Sequence, residues 1–206
     1  MNVYVHLMNK NSVKNVELEL KLLNEIERKK NHSQRSLSKN LNVALGLANA
    51  ILKKFVNKGI LKLKQAPMRR YFYYLTPKGF VEKTKLTKEF LKSSLEFYSI
   101  AKDEYEKEII KLKLKRKKII LLGKSELTEI AILAANIHNL KIESILLETS
   151  DEKSFCGVKI VNRIDSKRYN KLNTSLLLTD FSGKVDIYND LKKNYEILCP
   201  KFLSLN

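Results

Sequence analysis

Six glycines and three prolines in 206 residues are too few for a turn-rich all-β fold or a long disordered chain. The two cysteines, Cys156 and Cys199, have no CxxC spacing and cannot staple a chain of this size, so both are read as reduced thiols. The three histidines, His6, His32 and His138, lack metal-ligand spacing, and no metal site is expected. The opening MNVYVHLMNKNSVKN lacks the charged segment and apolar run of a signal peptide. No window reaches the roughly 18 apolar residues of a membrane span. A soluble, cytoplasmic chain with no membrane contact is expected. Catalysis has no foothold either: no Ser/His/Asp or Cys/His set stands at suggestive spacing, and the chain is read as a non-enzyme.

The most informative scarcity is of acid. From Arg28 to Val81 there are 13 Lys/Arg and no Asp or Glu. A soluble domain ordinarily mixes signs on its surface, so this one-sided stretch implies a polyanionic partner. The imbalance is local. Residues 1–118 hold 28 Lys/Arg against 11 Asp/Glu, and residues 119–206 hold 12 against 11. Two halves with such different surfaces are expected to meet different partners.

Val16, Leu20, Leu23 and Ile26 recur at near-helical spacing and predict an amphipathic first helix, after a polar start over residues 1–12. Ser33 is a good N-cap for a second helix carrying Leu37 and Leu41 inward, with Asn40 and Asn42 suited to a turn. A third helix is predicted from Val43 to Lys58, stopped by Gly59, with Leu45, Ala48, Leu52 and Phe55 facing a core. Its opposite face offers Ala44, Gly46, Leu47, Asn49, Ala50, Lys53 and Lys54. Residues 60–64 and 71–75 read as strands joined by Gln65-Ala66-Pro67-Met68-Arg69-Arg70, with two arginines at the tip. Helix, helix, helix, strand, wing, strand is the winged helix-turn-helix order.

The strings SQRSLSKNL, VALGLANAILKKFVNKGILKLK and YYLTPKG resemble MarR-type winged-helix transcriptional regulators associated with exopolysaccharide gene clusters, over about residues 14–115. The resemblance implies a regulator of transcription that binds double-stranded DNA. In that frame Gln34, Arg35 and Lys39 sit by the backbone, and Ala44, Gly46, Lys53 and Lys54 line the third helix. Asn49 is the candidate for adenine readout, because a carboxamide can contact N6 and N7 together. Arg69 and Arg70, with Tyr71 beside them, suit a narrow minor groove. The sequence departs from the pattern at Leu47 and Ala44, where a polar residue and a Ser/Thr cap are usual. Strong phosphate grip with narrow base reading follows.

Thr76-Pro77 opens a long helix to about Lys115. Leu91, Leu95, Tyr98, Lys102, Tyr105, Ile109 and Leu112 step by alternating fours and threes, a heptad seam broken once by Lys102. The seam spans about 33 Å. It predicts a two-stranded coiled coil joining a homodimer; the alternative is packing against the chain's own domains.

From Lys118 the pattern changes. The apolar run Ile119–Leu122 predicts a buried parallel strand. Gly123, a helix from Glu126 to Asn139 and a strand from Ile142 to Leu147 closed by Glu148 follow, a β-α-β unit of Rossmann organisation. Two more strand–helix pairs are expected around 175–178, 186–194 and 196–198. Gly123-Lys124-Ser125-Glu126 keeps one of three fingerprint glycines, with Ser125 and Thr128 in the other places, and Lys118 excludes a P-loop. This half resembles the Rossmann-like front domain of nucleotide-sugar-pathway acyltransferases, with residues 156–161 similar to their G-x-x-V segment. The resemblance implies that a nucleotide or sugar nucleotide meets the backbone at Gly123, Lys124, Ser125 and Glu126, and Glu148 or Asp151 through its hydroxyls. A degenerate domain that only dimerises or docks a partner is the equal alternative. Rex-type redox repressors share this layout and sense NAD(H), but the missing glycines disfavour that cofactor here.

The expected architecture is an α+β winged helix-turn-helix domain (1–79), a long coiled-coil-like linker and dimerisation helix (80–117), and a small α/β Rossmann-like domain (118–206). The expected function is a homodimeric DNA-binding regulator with a second half that senses a small-molecule effector or docks a partner. The alternatives are a non-specific nucleic-acid-binding module, or a sugar-nucleotide-pathway enzyme with a fused basic domain.

Overall fold

A computed structural model describes residues 10–28, 33–66, 70–180 and 185–203. The chain divides into two compact units, Met1–Leu95 and Glu96–Asn206. His6, His32 and Arg69 lie outside the described residues.

The first unit holds α1 (Lys10–Arg28), α2 (Gln34–Asn40), α3 (Leu45–Asn57), β1 (Leu61–Ala66), β2 (Arg70–Leu75) and the start of α4 (Pro77–Leu114). Helix α1 thus begins inside the stretch read as a polar start. It buries Leu20, Leu22, Leu23 and Ile26 against Leu37, Ile51, Leu52, Phe55, Ile60, Leu61, Tyr73 and Leu86. Burying a residue such as Leu52 or Phe55 contributes about 1.5–3 kcal/mol each, so this small core carries the unit. The inward face of α3 differs by one residue from expectation. Ile51 is buried, whereas Leu45 is 40% exposed.

Four helices end in the same left-handed motif, and one of the four uses glycine. Helix α3 stops in a Schellman motif: Ile60 N–H donates to Phe55 O and Gly59 N–H to Val56 O, both at 2.9 Å, with Gly59 at φ 69°. The same bonding recurs at Asn42, Arg116 and Asn139, with φ of 51°, 52° and 51°. Asparagine tolerates this left-handed conformation better than most residues, and Arg116 adopts it too. The α2–α3 turn is further tied by the Ser38 hydroxyl, which donates to Val43 O at 2.9 Å.

The wing hairpin is tied to the start of α4. Thr76 donates its hydroxyl to Gly59 O at 2.7 Å and accepts from Gly79 N–H at 3.0 Å. A Cβ on Gly79 would stand 2.3 Å from Ile60 O. Each residue of Thr76-Pro77-Lys78-Gly79 but Lys78 therefore has a backbone reason: a cap, a preset first helical φ and a close approach.

The second unit is built on six strands: β3 (Lys118–Leu122), β4 (Ile142–Leu146), β5 (Ser154–Phe155), β6 (Val158–Val161), β7 (Thr174–Leu178) and β8 (Glu196–Leu198). The spatial order is β5-β6-β4-β3-β7-β8, parallel throughout except for the β5–β6 hairpin. The parallel strands thus run third, second, first, fourth, fifth, and the order reverses at β3. Strand β7 is buried at every position, as a central parallel strand requires. Helices α5 (Glu126–Ile137) and α6 (Val185–Asn194) follow β3 and β7. The segment 156–161 is a two-residue turn followed by strand β6. Cys156 and Gly157, at φ 46° and 78°, form a two-residue turn between paired Phe155 and Val158.

The heptad seam on α4 does not hold as one surface. Tyr105, Ile109 and Leu112 are at most 1% exposed and belong to the core of the second unit, with Ile119–Leu122, Leu127, Ile130 and Ala131. They cannot serve a subunit interface, because their stripe is already covered by this chain. Phe202 sets its ring edge-on to Tyr105 at 5.6 Å and to Phe97 at 5.8 Å. Leu91, Leu95 and Tyr98 remain 56%, 59% and 39% exposed. Nor is α4 a free linker over 80–117: Leu86 and Phe90 join the first core, and Ala101 to Leu112 the second. No helix among the described residues is long and apolar enough to cross a membrane.

Candidate nucleic-acid interface

Helix α3 presents its first turn and one flank to solvent. Ala44, the N-cap, makes no side-chain cap bond. Leu45, Gly46 and Leu47 are exposed, and a Cβ at Gly46 would meet nothing within 4 Å. That glycine is not demanded by packing within the chain, so the open space beside it is available to a ligand. Lys53 is exposed and has no acidic partner among the described residues. Lys54 is different: it pairs with Glu19 of α1 and lies 5.9 Å over the Phe55 ring. Its charge is partly answered before any partner arrives.

Asn49 is half-buried, and its Oδ1 is buried without a hydrogen-bond partner among the described residues. Two-point contact with an adenine needs both carboxamide atoms presented outward. The side chain must rotate to do so. Gln34 is likewise engaged, donating from Nε2 to the Tyr73 hydroxyl at 2.9 Å and joining α2 to the wing. Arg35 and Lys39 on α2 are exposed and have no acidic partner among the described residues.

Strands β1 and β2 pair in register from Leu61↔Leu75 to Ala66↔Arg70. Arg70 therefore sits within the ladder rather than at a loop tip. Tyr71 is 42% exposed on the same face as buried Tyr73. Lys62 and Lys64 are exposed on the other face, beside Tyr74 and Phe72. Sequence reasoning passed over both lysines and Lys58, although the alternation from Ile60 to Lys64 already placed the lysines outward. Arg35, Lys39, Lys53, Lys58, Lys62 and Lys64 are thus exposed cations with no acidic partner among the described residues. In the second unit four cations are paired: Lys107 with Glu104, Lys111 with Glu108, Lys117 with Glu196 and Lys124 with Glu152.

The loop expected to meet a phosphate is closed by its own hydroxyls. Ser125 Oγ accepts from Leu127 N–H at 3.1 Å and donates to Thr179 O at 2.6 Å. Thr128, fully buried, accepts from Ser125 N–H at 2.9 Å. The residues in place of the second and third fingerprint glycines form a capping box on α5. Gly123, at φ 98°, is required for another reason, since a Cβ there would stand 2.3 Å from Asp180 Cβ. Lys124 holds Glu152 at 2.6 Å and lies 4.8 Å over the Phe155 ring. Glu126, Glu148 and Asp151 are exposed. Cys156 and Cys199 are both free thiols.

The family described as winged helix-turn-helix DNA-binding matches residues 17–62. No curated protein sequence matches the chain. Among solved structures, the chain is similar to the PcaV transcriptional regulator of Streptomyces coelicolor, in complex with its natural ligand, at 17% identity and a TM-score of 0.37. That likeness covers 39% of this chain and 59% of PcaV. It is also similar to Streptococcus pneumoniae FabT in complex with DNA, at 24% identity and a TM-score of 0.32, over 59% of this chain and 69% of FabT. The stretch from Glu17 to Lys62 is thus a winged helix-turn-helix of the DNA-binding kind.

Proposed function

We propose that the chain is a homodimeric transcriptional regulator of the MarR type that grips duplex DNA with α2, α3 and the wing. The observation that carries this reading is the set of exposed cations on α2, on α3 and its C-terminal end, and on β1, with no acidic partner among the described residues, in a domain that has the DNA-binding fold. Lys and Arg displace condensed counterions from phosphates, and that contribution dominates non-specific affinity. The leucine-flanked start of α3 offers few donors or acceptors to base edges, so discrimination rests on Asn49 and on groove shape. Leu91, Leu95 and Tyr98, the exposed members of the α4 seam, offer a contact to a second copy. A two-fold dimer suits an inverted-repeat operator.

The second half is assigned a Rossmann-like role in sensing or docking. The parallel strand order and its reversal at β3 support this reading. The capped α5 terminus favours docking over a pyrophosphate ligand. The link to polysaccharide genes rests on the motif resemblance alone.

The test is a titration of labelled upstream duplex and random duplex at two salt concentrations, with sedimentation of the free protein. Tighter binding to the upstream duplex and a dimeric mass are expected. Equal affinity for both duplexes would reduce the chain to a non-specific nucleic-acid module. A thermal-shift panel of NAD(H), coenzyme A and sugar nucleotides addresses the second half, where stabilisation by any of them would argue against a docking-only domain.

A further inference from the structure

The wing has two faces of unlike chemistry. Leu61, Leu63, Tyr71, Tyr73 and Leu75 share one face; Leu61 and Tyr73, 2% and 4% exposed, enter the core, whereas Leu63 and Tyr71 are each 42% exposed. The register puts Lys62 opposite Tyr74 and Lys64 opposite Phe72 on the other face. Directly opposed residues of an antiparallel pair project to the same side, about 4.5–5.5 Å apart at Cβ. Phe72 and Tyr74 are half-buried, yet neither joins the hydrophobic core of the unit. Both lysines are exposed and without an acidic partner among the described residues, and the Tyr74 hydroxyl has no hydrogen bond there either.

This arrangement is poorly explained by folding. A two-stranded ribbon is marginal by itself and gains stability by burying aromatic residues on its core side. Here two rings are placed on the side away from the core, alternating across the ladder with two cations. Rings that carry a π-face between point charges match a strand of bases between phosphates. Paired bases expose no face to such a ribbon, because each is covered by its neighbours in the stack. The chemistry therefore selects unpaired nucleotides.

We infer that the outer face of the wing, Phe72 and Tyr74 flanked by Lys62 and Lys64, is a stacking platform for unpaired bases next to the duplex held by α3. The inference rests on the duplex-binding reading above and adds a second nucleic-acid site to it. The occupant is a short unpaired segment of nucleic acid: the lysines supply complementarity to two phosphates, and the rings supply faces for two bases. A strictly duplex ligand leaves the rings without a role.

The test exploits the absence of tryptophan from the chain. Phe72→Trp places one fluorophore on the platform of the full-length protein. It is titrated with a blunt duplex, the same duplex carrying a six-nucleotide unpaired tail, and anionic lipid vesicles. Quenching by the tailed duplex and not by the blunt one is expected, since a stacked base quenches an indole. In parallel, the wild-type chain is expected to bind the tailed duplex at least about five-fold tighter than the blunt one, the low end of one stacked base. Phe72→Leu with Tyr74→Leu, checked for an unchanged melting temperature, is expected to remove that preference and leave blunt-duplex affinity as it was.

Equal binding of tailed and blunt duplexes, with no difference in quenching, overturns the platform while the duplex reading stands. Failure to bind either DNA overturns both. Quenching by vesicles alone overturns the platform in favour of a lipid surface. If the double leucine variant melts lower, the fluorescence of Phe72→Trp decides alone.

Discussion

The Tyr105 hydroxyl donates to the main-chain carbonyl of Leu178 at 2.9 Å, bonding α4 to the last residue of β7. That carbonyl is buried, and the bond fixes the helix against the sheet of its own chain. Tyr105→Phe keeps the ring against Phe202 and removes only the donor. A destabilisation of about 1–3 kcal/mol is expected in urea unfolding, the cost of leaving a buried acceptor unsatisfied. If the proposed homodimer forms through Leu91 and Leu95, Leu91→Ser and Leu95→Ser should leave the monomer's unfolding nearly unchanged and raise the dimer dissociation constant in sedimentation.

Lys53 and Lys54 are neighbours in sequence but not in electrostatic state. Lys53→Ala is expected to reduce the dependence of log affinity on log salt by about 1 for any duplex. Lys54→Ala should change it much less, because Glu19 already holds that ammonium. Equal slopes for the two variants would mean that the flank of α3 is not the phosphate-facing side.

Asn49→Ala removes a carboxamide oxygen that is buried and unpaired. Thermal unfolding is expected to show no loss of stability, since nothing bonded is removed. Discrimination between upstream and random duplex should fall by about 1–3 kcal/mol if the rotated amide reads a base.

Gly79→Ala would bring a methyl carbon to within 2.3 Å of Ile60 O and 2.9 Å of the Leu75 side chain. The neighbour at 2.3 Å is backbone and cannot yield cheaply. A destabilisation of about 1–3 kcal/mol or more is expected from calorimetry, confined to the first unit. Lys78→Ala beside it should be neutral.

Glu196 accepts from Lys117 at 2.6 Å and from Ser175 at 2.9 Å, and these bonds, with Lys117 foremost, hold its carboxyl below the usual glutamate range. A depressed folded-state value means that this contribution is complete above the unfolded value of about 4.3 and disappears as pH falls through the lower folded one. Glu196→Gln should cost about 1 kcal/mol at pH 7, a modest figure because the pair is partly open to solvent. In acid below the folded value the variant and parent should unfold alike.

Much of this was legible in residue order. The helix signals at Ser33 and Gly59, the Thr76-Pro77 start and the parallel strands at 119–122 and 142–146 all carry local causes: a cap, a left-handed glycine, a preset φ, an uninterrupted apolar run. The ends near Asn42, Arg116 and Asn139 were legible too, but not their left-handed conformation, because such a stop without glycine leaves little compositional mark. The stripe on α4 misled for a different reason. A four-three repeat records only that one side of a helix is covered, and Tyr105, Ile109 and Leu112 are covered by a sheet whose strands lie further along the chain. Asn49 was legible as a polar residue on the right helix but not as a half-buried one, which depends on rotamer and neighbours. The outward rings of the wing needed the strand register, which places Phe72 and Tyr74 on the side away from Tyr73.

The hydroxyl of Ser125 sets the terms on which anything can approach α5. An anion seeking Leu127 N–H must first evict that oxygen, and the same rotation surrenders its bond to Thr179 at the end of β7. Occupancy there is an exchange rather than a filling. Whatever takes the cap would leave the Thr179 carbonyl without its serine donor while Thr179 N–H stays bonded to Leu122 O, so an effector at this loop would announce itself as a shift of the Thr179 carbonyl resonance.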